Sequence, residues 1–253
     1  METKTVFAAL VGRPNVGKSS LLNYLLGEKV AIVTSKPQTT RNRIVGILTK
    51  CDTQYVFIDT PGLHRPRNRL GSYMMHQTQA SVSEVNLVIL VTEWEKPISN
   101  VERAFCRSIA ARKIPAILAI NKIDLLRQKD ILLEKIRLFK DLHDFDATVL
   151  ISAKTGDGVA RLLDETEKFC VNAPHMFDDD ALTDQPERAV VAEIIREKIL
   201  NNLHEEIPHG TAVIIEAFKE REKQAIIDID ATIVCEKQSH KAIIIGCTTN
   251  GHV

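Results

Sequence analysis

Apolar positions along the chain fall into two alternating rhythms. Near-continuous runs such as Val6-Phe7-Ala8-Ala9-Leu10-Val11, Val85-Asn86-Leu87-Val88-Ile89-Leu90-Val91-Thr92 and Ala116-Ile117-Leu118-Ala119-Ile120 are the length of strands buried on both faces. Further strands are predicted from Ile44 to Thr49, from Gln54 to Ile58 and from Thr148 to Ile151. Between them lie stretches with helical spacing: Ser20 to Leu26, Val101 to Arg112, Ile131 to Asp141 and Gly158 to Phe169. Strand alternating with helix predicts a doubly wound α/β domain with a mostly parallel sheet and its working loops at one edge. After residue 172 the rhythm changes. The stretch from Ala173 to Pro186 is polar and acidic and reads as a linker. A helix from Glu187 to Glu205 follows, with Ile207-Pro208 as a stop. Two strands, Ala212 to Phe218 and Ala225 to Val234, are joined by the charged turn Lys219 to Lys223, and an apolar run reaches Gly246. The domains expected are therefore 1–172, a linker at 173–186, and a smaller α+β unit at 187–253.

The chain has 253 residues, 44% of them hydrophobic and 26% charged, enough apolar material for a core. Lys+Arg and Asp+Glu are both 33, so any basic surface for nucleic acid must be local. The five cysteines (Cys51, Cys106, Cys170, Cys235, Cys247) form no CxxC pair and read as reduced thiols of a cytoplasmic protein. No uncharged run approaches the roughly 18–20 residues of a spanning helix, and peripheral contact with a membrane is left open. Asp178-Asp179-Asp180 reads as solvated charge rather than a metal cluster.

The chemistry sits at the strand ends. Gly12-Arg13-Pro14-Asn15-Val16-Gly17-Lys18-Ser19, between a strand and a helix, has the spacing of a phosphate-binding loop. Gly12 and Gly17 let the backbone curl so that successive N–H groups face phosphate oxygens, and the helix start near Lys18 adds partial positive charge. Lys18 can reach the β- and γ-phosphates, and the Ser19 hydroxyl can ligate Mg²⁺. Asp59-Thr60-Pro61-Gly62 ends a later strand, where an acidic residue sits beside the Mg²⁺ site in proteins with such a loop. In Asn121-Lys122-Ile123-Asp124 the Asp124 carboxylate can accept from guanine N1–H and the 2-amino group, a donor pair adenine lacks. Asn121 can bond the base edge or tie this loop to the phosphate loop, while the Lys122 stem can cover the purine face. Ser152-Ala153-Lys154 would close the other side, with the Ala153 N–H donating to guanine O6. Each tetrapeptide alone reads as a polar turn; in this order, each at a strand end, they point to GTP or GDP.

Together with the loop Lys36-Pro37-Gln38-Thr39-Thr40-Arg41-Asn42-Arg43, these motifs resemble the Era-like subfamily of translation-factor-related P-loop GTPases over residues 5–172. The resemblance implies that a threonine of that loop, Thr40 in preference to Thr39, ligates Mg²⁺ with Ser19, while Asp59 acts through water. It groups Lys18, Thr40 and Gly62 as catalytic. It implies nucleotide contacts by Gly12, Asn15, Val16, Gly17, Lys18, Ser19, Ser20, Asp59, Asn121, Lys122, Asp124, Ser152, Ala153 and Lys154. Asn15 matches an asparagine that coordinates K⁺ in related enzymes. Leu63 stands where Ras-like enzymes carry glutamine, so slow intrinsic hydrolysis is expected. The stretch Arg65 to Arg69 reads as a solvated second switch.

The C-terminal part is similar to the opening of a type II KH domain, in Glu193 to Lys198 and in Glu236 to Gly246. The resemblance implies single-stranded RNA binding, with 16S ribosomal RNA and the 30S subunit as partners of a monomer that is cytoplasmic or peripheral to the inner membrane. From Cys247 to Val253 the pattern departs: Thr249 replaces the second glycine of the G-x-x-G loop, and the usual lysine is absent. A partial KH unit is therefore expected, with Val213, Ile215, Ile227, Ile229, Ile233 and Ile243 to Ile245 left partly exposed. The alternative is a GTP-binding protein whose RNA-binding function is lost.

Overall fold

Apolar runs that end at loops set the layers of the fold. In the computed structural model, which describes residues 3–36, 39–65, 69–126, 129–203, 210–221 and 226–246, each long apolar run is a buried strand. The strands are β1 (Lys4–Val11), β2 (Ile44–Lys50), β3 (Thr53–Asp59), β4 (Leu87–Glu93), β5 (Ala116–Asn121), β6 (Ala147–Leu150) and the short β7 (Val171–Asn172). They form one sheet in the order β2-β3-β1-β4-β5-β6, with β7 pairing antiparallel to β1. The β1–β3, β1–β4, β4–β5 and β5–β6 pairs are parallel; β2 runs antiparallel to β3. The helices are α1 (Lys18–Leu26), α2 (Arg69–Ser83), α3 (Asn100–Arg112), α4 (Lys129–Lys140) and α5 (Val159–Glu167).

Side chains alternate along β1 between two cores. Ala8 and Leu10 face a cluster with Leu21, Leu22, Phe57, Ile89 and Leu162. Ala9 and Val11 face another with Leu90, Cys106, Ile109, Leu118 and Phe139. Covering both faces is what lets a parallel sheet tolerate continuous apolar strands. The register places Leu10 beside Asp59 and Glu93 beside Asn121, so acidic and amide side chains gather at one sheet edge. Burial pushes the Cys106 thiol up to about 12 and the Cys170 thiol to about 11, which keeps both inert at neutral pH.

The chain packs as two compact units, Met1–Ala31 with Thr40–Asp184, and Ile32–Thr39 with Gln185–Val253. Residues 173–184, polar enough to read as a linker, lie along the first unit. The buried amide of Gln54 accepts from the backbone N–H groups of Met176 (2.8 Å) and Phe177 (3.1 Å) and donates to the Phe177 carbonyl (3.0 Å). Phe177 and Ala181 pack on Val45, Ile47 and Val56, and Leu182 accepts from Ile47 N–H at 2.9 Å.

The second unit contains α6 (Glu187–Asn202), β8 (Thr211–Glu220), β9 (Ile227–Cys235) and α7 (Gln238–Ile245). Its two strands pair antiparallel, with a register shift between Ile215 and Ala217. Helix, two strands, helix is the order in which a type II KH unit opens. Ile214, Ile227, Ile229, Ile233, Ile243 and Ile245 are exposed, while Val213, Ile215 and Ile244 are half-buried. The run at Cys247 to Val253 lies outside the described residues. Among the described residues no helix is long and apolar enough to cross a membrane.

Candidate nucleotide-binding site

The loop after β1 begins with a close approach. A Cβ on Gly12 would stand 2.1 Å from the Val91 carbonyl oxygen, so only glycine lets the loop lie against the end of β4. Gly17 caps α1 with φ 99°, in the left-handed region, and a Cβ there would meet Asn121 Nδ2 at 2.2 Å. Asn15 is also left-handed, at φ 63°, and is exposed. Val16 is fully buried and anchors the loop from beneath. Ser20 follows in the first turn of α1, half-buried.

Lys18 is buried, and its Nζ donates to the carbonyls of Gly12 (3.3 Å) and Arg13 (3.1 Å), which places the ammonium inside the loop. Ser19 Oγ donates to Asp59 Oδ2 at 2.6 Å and lies 3.1 Å from Thr40 Oγ1; Thr40 also reaches Asp59 Oδ2 at 3.4 Å. Thr39 points elsewhere, bonding the Lys36 carbonyl and the Thr34 hydroxyl. Asp59 is fully buried, and its Oδ1 has no hydrogen-bond partner. Burial pushes the Asp59 carboxyl up, against the pull of Lys18 and the two hydroxyls, and burial pushes the Lys18 ammonium down against the pull of Asp59. Two hydroxyls and one carboxylate, whose Oδ1 is unpartnered, are an all-oxygen donor set, which suits Mg²⁺ with retained waters.

The base side is held from the loop after β5. Asn121 Nδ2 donates to the Val16 carbonyl (2.8 Å), and its Oδ1 accepts from Lys122 N–H (2.8 Å) and Ala153 N–H (2.9 Å). Of the two roles open to Asn121 from sequence, the tie between loops is the one made here. The Ala153 N–H, expected to face guanine O6, donates to Asn121 Oδ1 at 2.9 Å. Asp124 is exposed and free to meet a ligand, steadied by Ser152 Oγ, which donates to it at 2.8 Å. Lys154 is exposed beside it. Gly62 packs on Pro14, where a Cβ would come within 2.6 Å of its nitrogen. Leu63 is buried and its N–H donates to the Gly12 carbonyl at 2.8 Å, so nothing at that position can orient water. Pro37, Gln38 and residues 66–68 lie outside the described residues.

Sequence reasoning passed over an ionic group behind the site. Glu93 Oε2 pairs with Lys122 Nζ at 2.7 Å, and Trp94 Nε1 donates to the Lys122 carbonyl at 3.0 Å. The signal available was an acidic residue at the C-terminal end of a strand, the same signal that marks Asp59.

A family model described as 50S ribosome-binding GTPase matches residues 7–122. GTPase Era of Ruminiclostridium cellulolyticum is 45% identical over 246 residues, covering 97% of this chain and 82% of that protein. The chain belongs to the Era GTPases. Solved Era structures extend the likeness to the backbone. Era in complex with MgGDPNP and nucleotides 1506–1542 of 16S ribosomal RNA matches at 32% identity and TM-score 0.90, covering 96% of this chain and 83% of that one. A variant of Aquifex aeolicus Era bound to GDP.AlF4⁻ matches equally, at 32% identity and TM-score 0.90, again covering 96% of this chain and 83% of that one. Both Era matches span both units, so the likeness is to the whole chain rather than to the nucleotide fold alone.

The loop geometry predicts the effect of Gly17→Ala. A left-handed φ and the overlap with Asn121 together cost about 1–3 kcal/mol of stability and displace the Asn121 amide. Urea denaturation of the two proteins checks it; equal midpoints would mean that the close approach carries no strain.

Proposed function

We propose that this chain is a GTP-hydrolysing switch that holds guanine nucleotide with Mg²⁺ at the strand-end site and uses its second unit to bind small-subunit ribosomal RNA during 30S assembly. The observation that carries the nucleotide reading is the convergence of Ser19 and Thr40 on buried Asp59, whose Oδ1 is left without a partner. Mg²⁺ in that position would neutralise charge on the β- and γ-phosphates. The chain's own groups do the rest. Lys18 exchanges its two carbonyl partners for phosphate oxygens, joined by the backbone N–H groups from Asn15 to Ser20. Asp124, steadied by Ser152, accepts from the guanine N1–H and 2-amino group, and Lys122 covers the purine face. Asn121 holds the two loops at a fixed spacing. Asn15, exposed at the lip of the loop, is the residue that would hold K⁺. Thr40 and Gly62 border the terminal phosphate. With Leu63 turned into the core, hydrolysis is slow until a partner or the rest of the loop supplies the water's orientation.

A switch needs a segment that answers to two places, and residues 32–39 support that reading. They pack with the second unit: Val33 N–H donates to Glu197 Oε1 at 3.0 Å, Lys36 Nζ to the Leu203 carbonyl, and Arg196 Nη2 to the Thr39 carbonyl. The next residue, Thr40, belongs to the magnesium set. The RNA partner is carried by the Era complex with 16S ribosomal RNA, which favours the small subunit over the 50S particle in the family's description. We place the protein in the cytoplasm, as a monomer.

Asp124→Asn should weaken GDP binding roughly 100-fold and favour xanthosine diphosphate, because a carboxylate's two acceptors become one acceptor and one donor. Competition binding reads the change; unaltered GDP affinity would overturn the base assignment. For the RNA arm, the full chain is titrated with a single-stranded RNA matching the 3′ end of 16S ribosomal RNA and with a scrambled RNA of equal length. A GTP analogue and GDP are compared at two salt concentrations. The expected result is preference for the matching RNA in the GTP-analogue state. Equal, wholly salt-driven binding of both RNAs would mean that the second unit does not recognise this partner.

A further inference from the structure

Glu93 closes β4 with its side chain nearly buried, at 4% exposure. A buried carboxylate needs charged or hydrogen-bonding partners, and Glu93 has them from two directions. On the base side, Lys122 Nζ is 2.7 Å from Oε2. On the phosphate side, Arg13, the second residue of the phosphate loop, places Nη2 3.8 Å from Oε1, a charge-to-charge approach without a hydrogen bond. Lys96 Nζ approaches the same Oε1 to 2.6 Å from the loop after β4. Burial alone would push the Glu93 carboxyl up, but the hydrogen bonds and charges of Lys122 and Lys96 outweigh it and hold it below the usual range.

The surroundings fix this carboxylate in place. Arg13 Nε lies 3.4 Å from Oε2 of Glu102, which is fully buried. Glu102 is in turn locked by the α3 cap: Oε2 accepts from the Ser99 N–H and hydroxyl, both at 2.8 Å, and Oε1 accepts from Thr92 Oγ1 at 3.1 Å. At the other end Lys122 sits in the left-handed region, φ 66°, unfavourable for a side chain of that size. It is held there by Trp94 on its carbonyl and by Glu93 on its ammonium. Asp124 lies in the 3-10 turn that begins one residue later, at Ile123–Leu125. A shift of Lys122 therefore moves the guanine-reading carboxylate.

We propose that Glu93 is a positioning residue for the guanine nucleotide: its one carboxylate holds the base-side Lys122 and the phosphate-loop Arg13 together, so that the two ends of the site keep the spacing of a single ligand. The inference rests on the strand-end site being the nucleotide site. Glu93 touches neither base nor phosphate; it acts through Lys122 and Arg13. It works in parallel with the Asn121–Val16 tie but through charge, on the opposite side of the same loops.

Three readouts separate this from a general structural role. First, Glu93→Gln is expected to raise the dissociation constants for GDP and GTP about tenfold, through faster release, while kcat at saturating GTP stays within twofold. Glu93→Asp, which keeps the charge, should bind more tightly than Glu93→Gln. Second, both Glu93→Gln and Arg13→Gln should lower the preference for GDP over inosine diphosphate, which lacks the 2-amino group, about threefold. An arginine that served the phosphate loop alone would not change base preference. Third, Trp94 is the only tryptophan of the chain and bonds the Lys122 carbonyl, so Arg13→Gln should alter the Trp94 emission change on GDP binding. If Glu93→Gln does not fold, the Arg13→Gln readouts carry the test. Unchanged base preference and unchanged Trp94 response, or equal GDP affinity in folded Glu93→Gln, would overturn the proposal. Failure of the unsubstituted chain to bind GDP would instead overturn the nucleotide reading on which it rests.

Discussion

The site depends on one close approach. At Gly17 the loop that follows β1 turns left-handed and starts α1, and the space where a Cβ would sit is filled by the Asn121 amide. That amide then bonds the Val16 carbonyl and receives two backbone N–H groups, so a phosphate loop from the first strand and a base loop from the fifth become one surface. Parallel strands make this possible because β1 lies beside β4, and β4 beside β5, with their C-terminal ends together. Without that register, the loops after β1 and β5 would not meet at the Asn121–Val16 bond.

The charges beneath this surface are arranged to want a ligand. Lys18 and Asp59 are both buried, and burial works against the charged form of each. Asp59 keeps one oxygen unpartnered although Ser19 and Thr40 surround the other. Phosphates and a divalent cation answer both deficits at once, which is the physical content of a nucleotide-dependent state. Thr40 is the member of this group that comes from the loop before β2. The residues before it, 32–39, are held through backbone carbonyls and N–H groups by Glu197, Arg196 and Leu203.

Much of this was legible in the chain. Buried parallel strands declare themselves as unbroken apolar runs, and Gly12, Gly17, Asp59, Asn121 and Asp124 each occur where a strand runs out, so element and chemistry identify one another. That Asn121 bonds the Val16 carbonyl was not legible, because a base contact and a tie between loops use the same amide. Nor was the course of residues 173–184. Their acidic composition reads as solvated chain, yet Gln54, more than a hundred residues earlier, is buried to bond Met176 and Phe177. The apolar Phe177 amid aspartates was the one local hint. Glu93, Glu102 and Arg13 look like ordinary charges in sequence, since an ion pair between distant elements leaves no periodicity. In the second unit Ile227, Ile229, Ile233, Ile243 and Ile245 are exposed as expected, while Ile214 on β8 is exposed without having been foreseen.

The central claim is that one strand-end site selects guanine nucleotide, and thermal unfolding of the full chain tests it most directly. Melting curves are recorded with no nucleotide, with GDP and with ADP, each with Mg²⁺ at equal concentration. A ligand present at 100 times its dissociation constant stabilises the folded form by about 2.7 kcal/mol, enough to raise the midpoint of the nucleotide-binding unit by several degrees. The account predicts that rise with GDP and none with ADP. An equal rise with both nucleotides, or no rise with GDP, would contradict it.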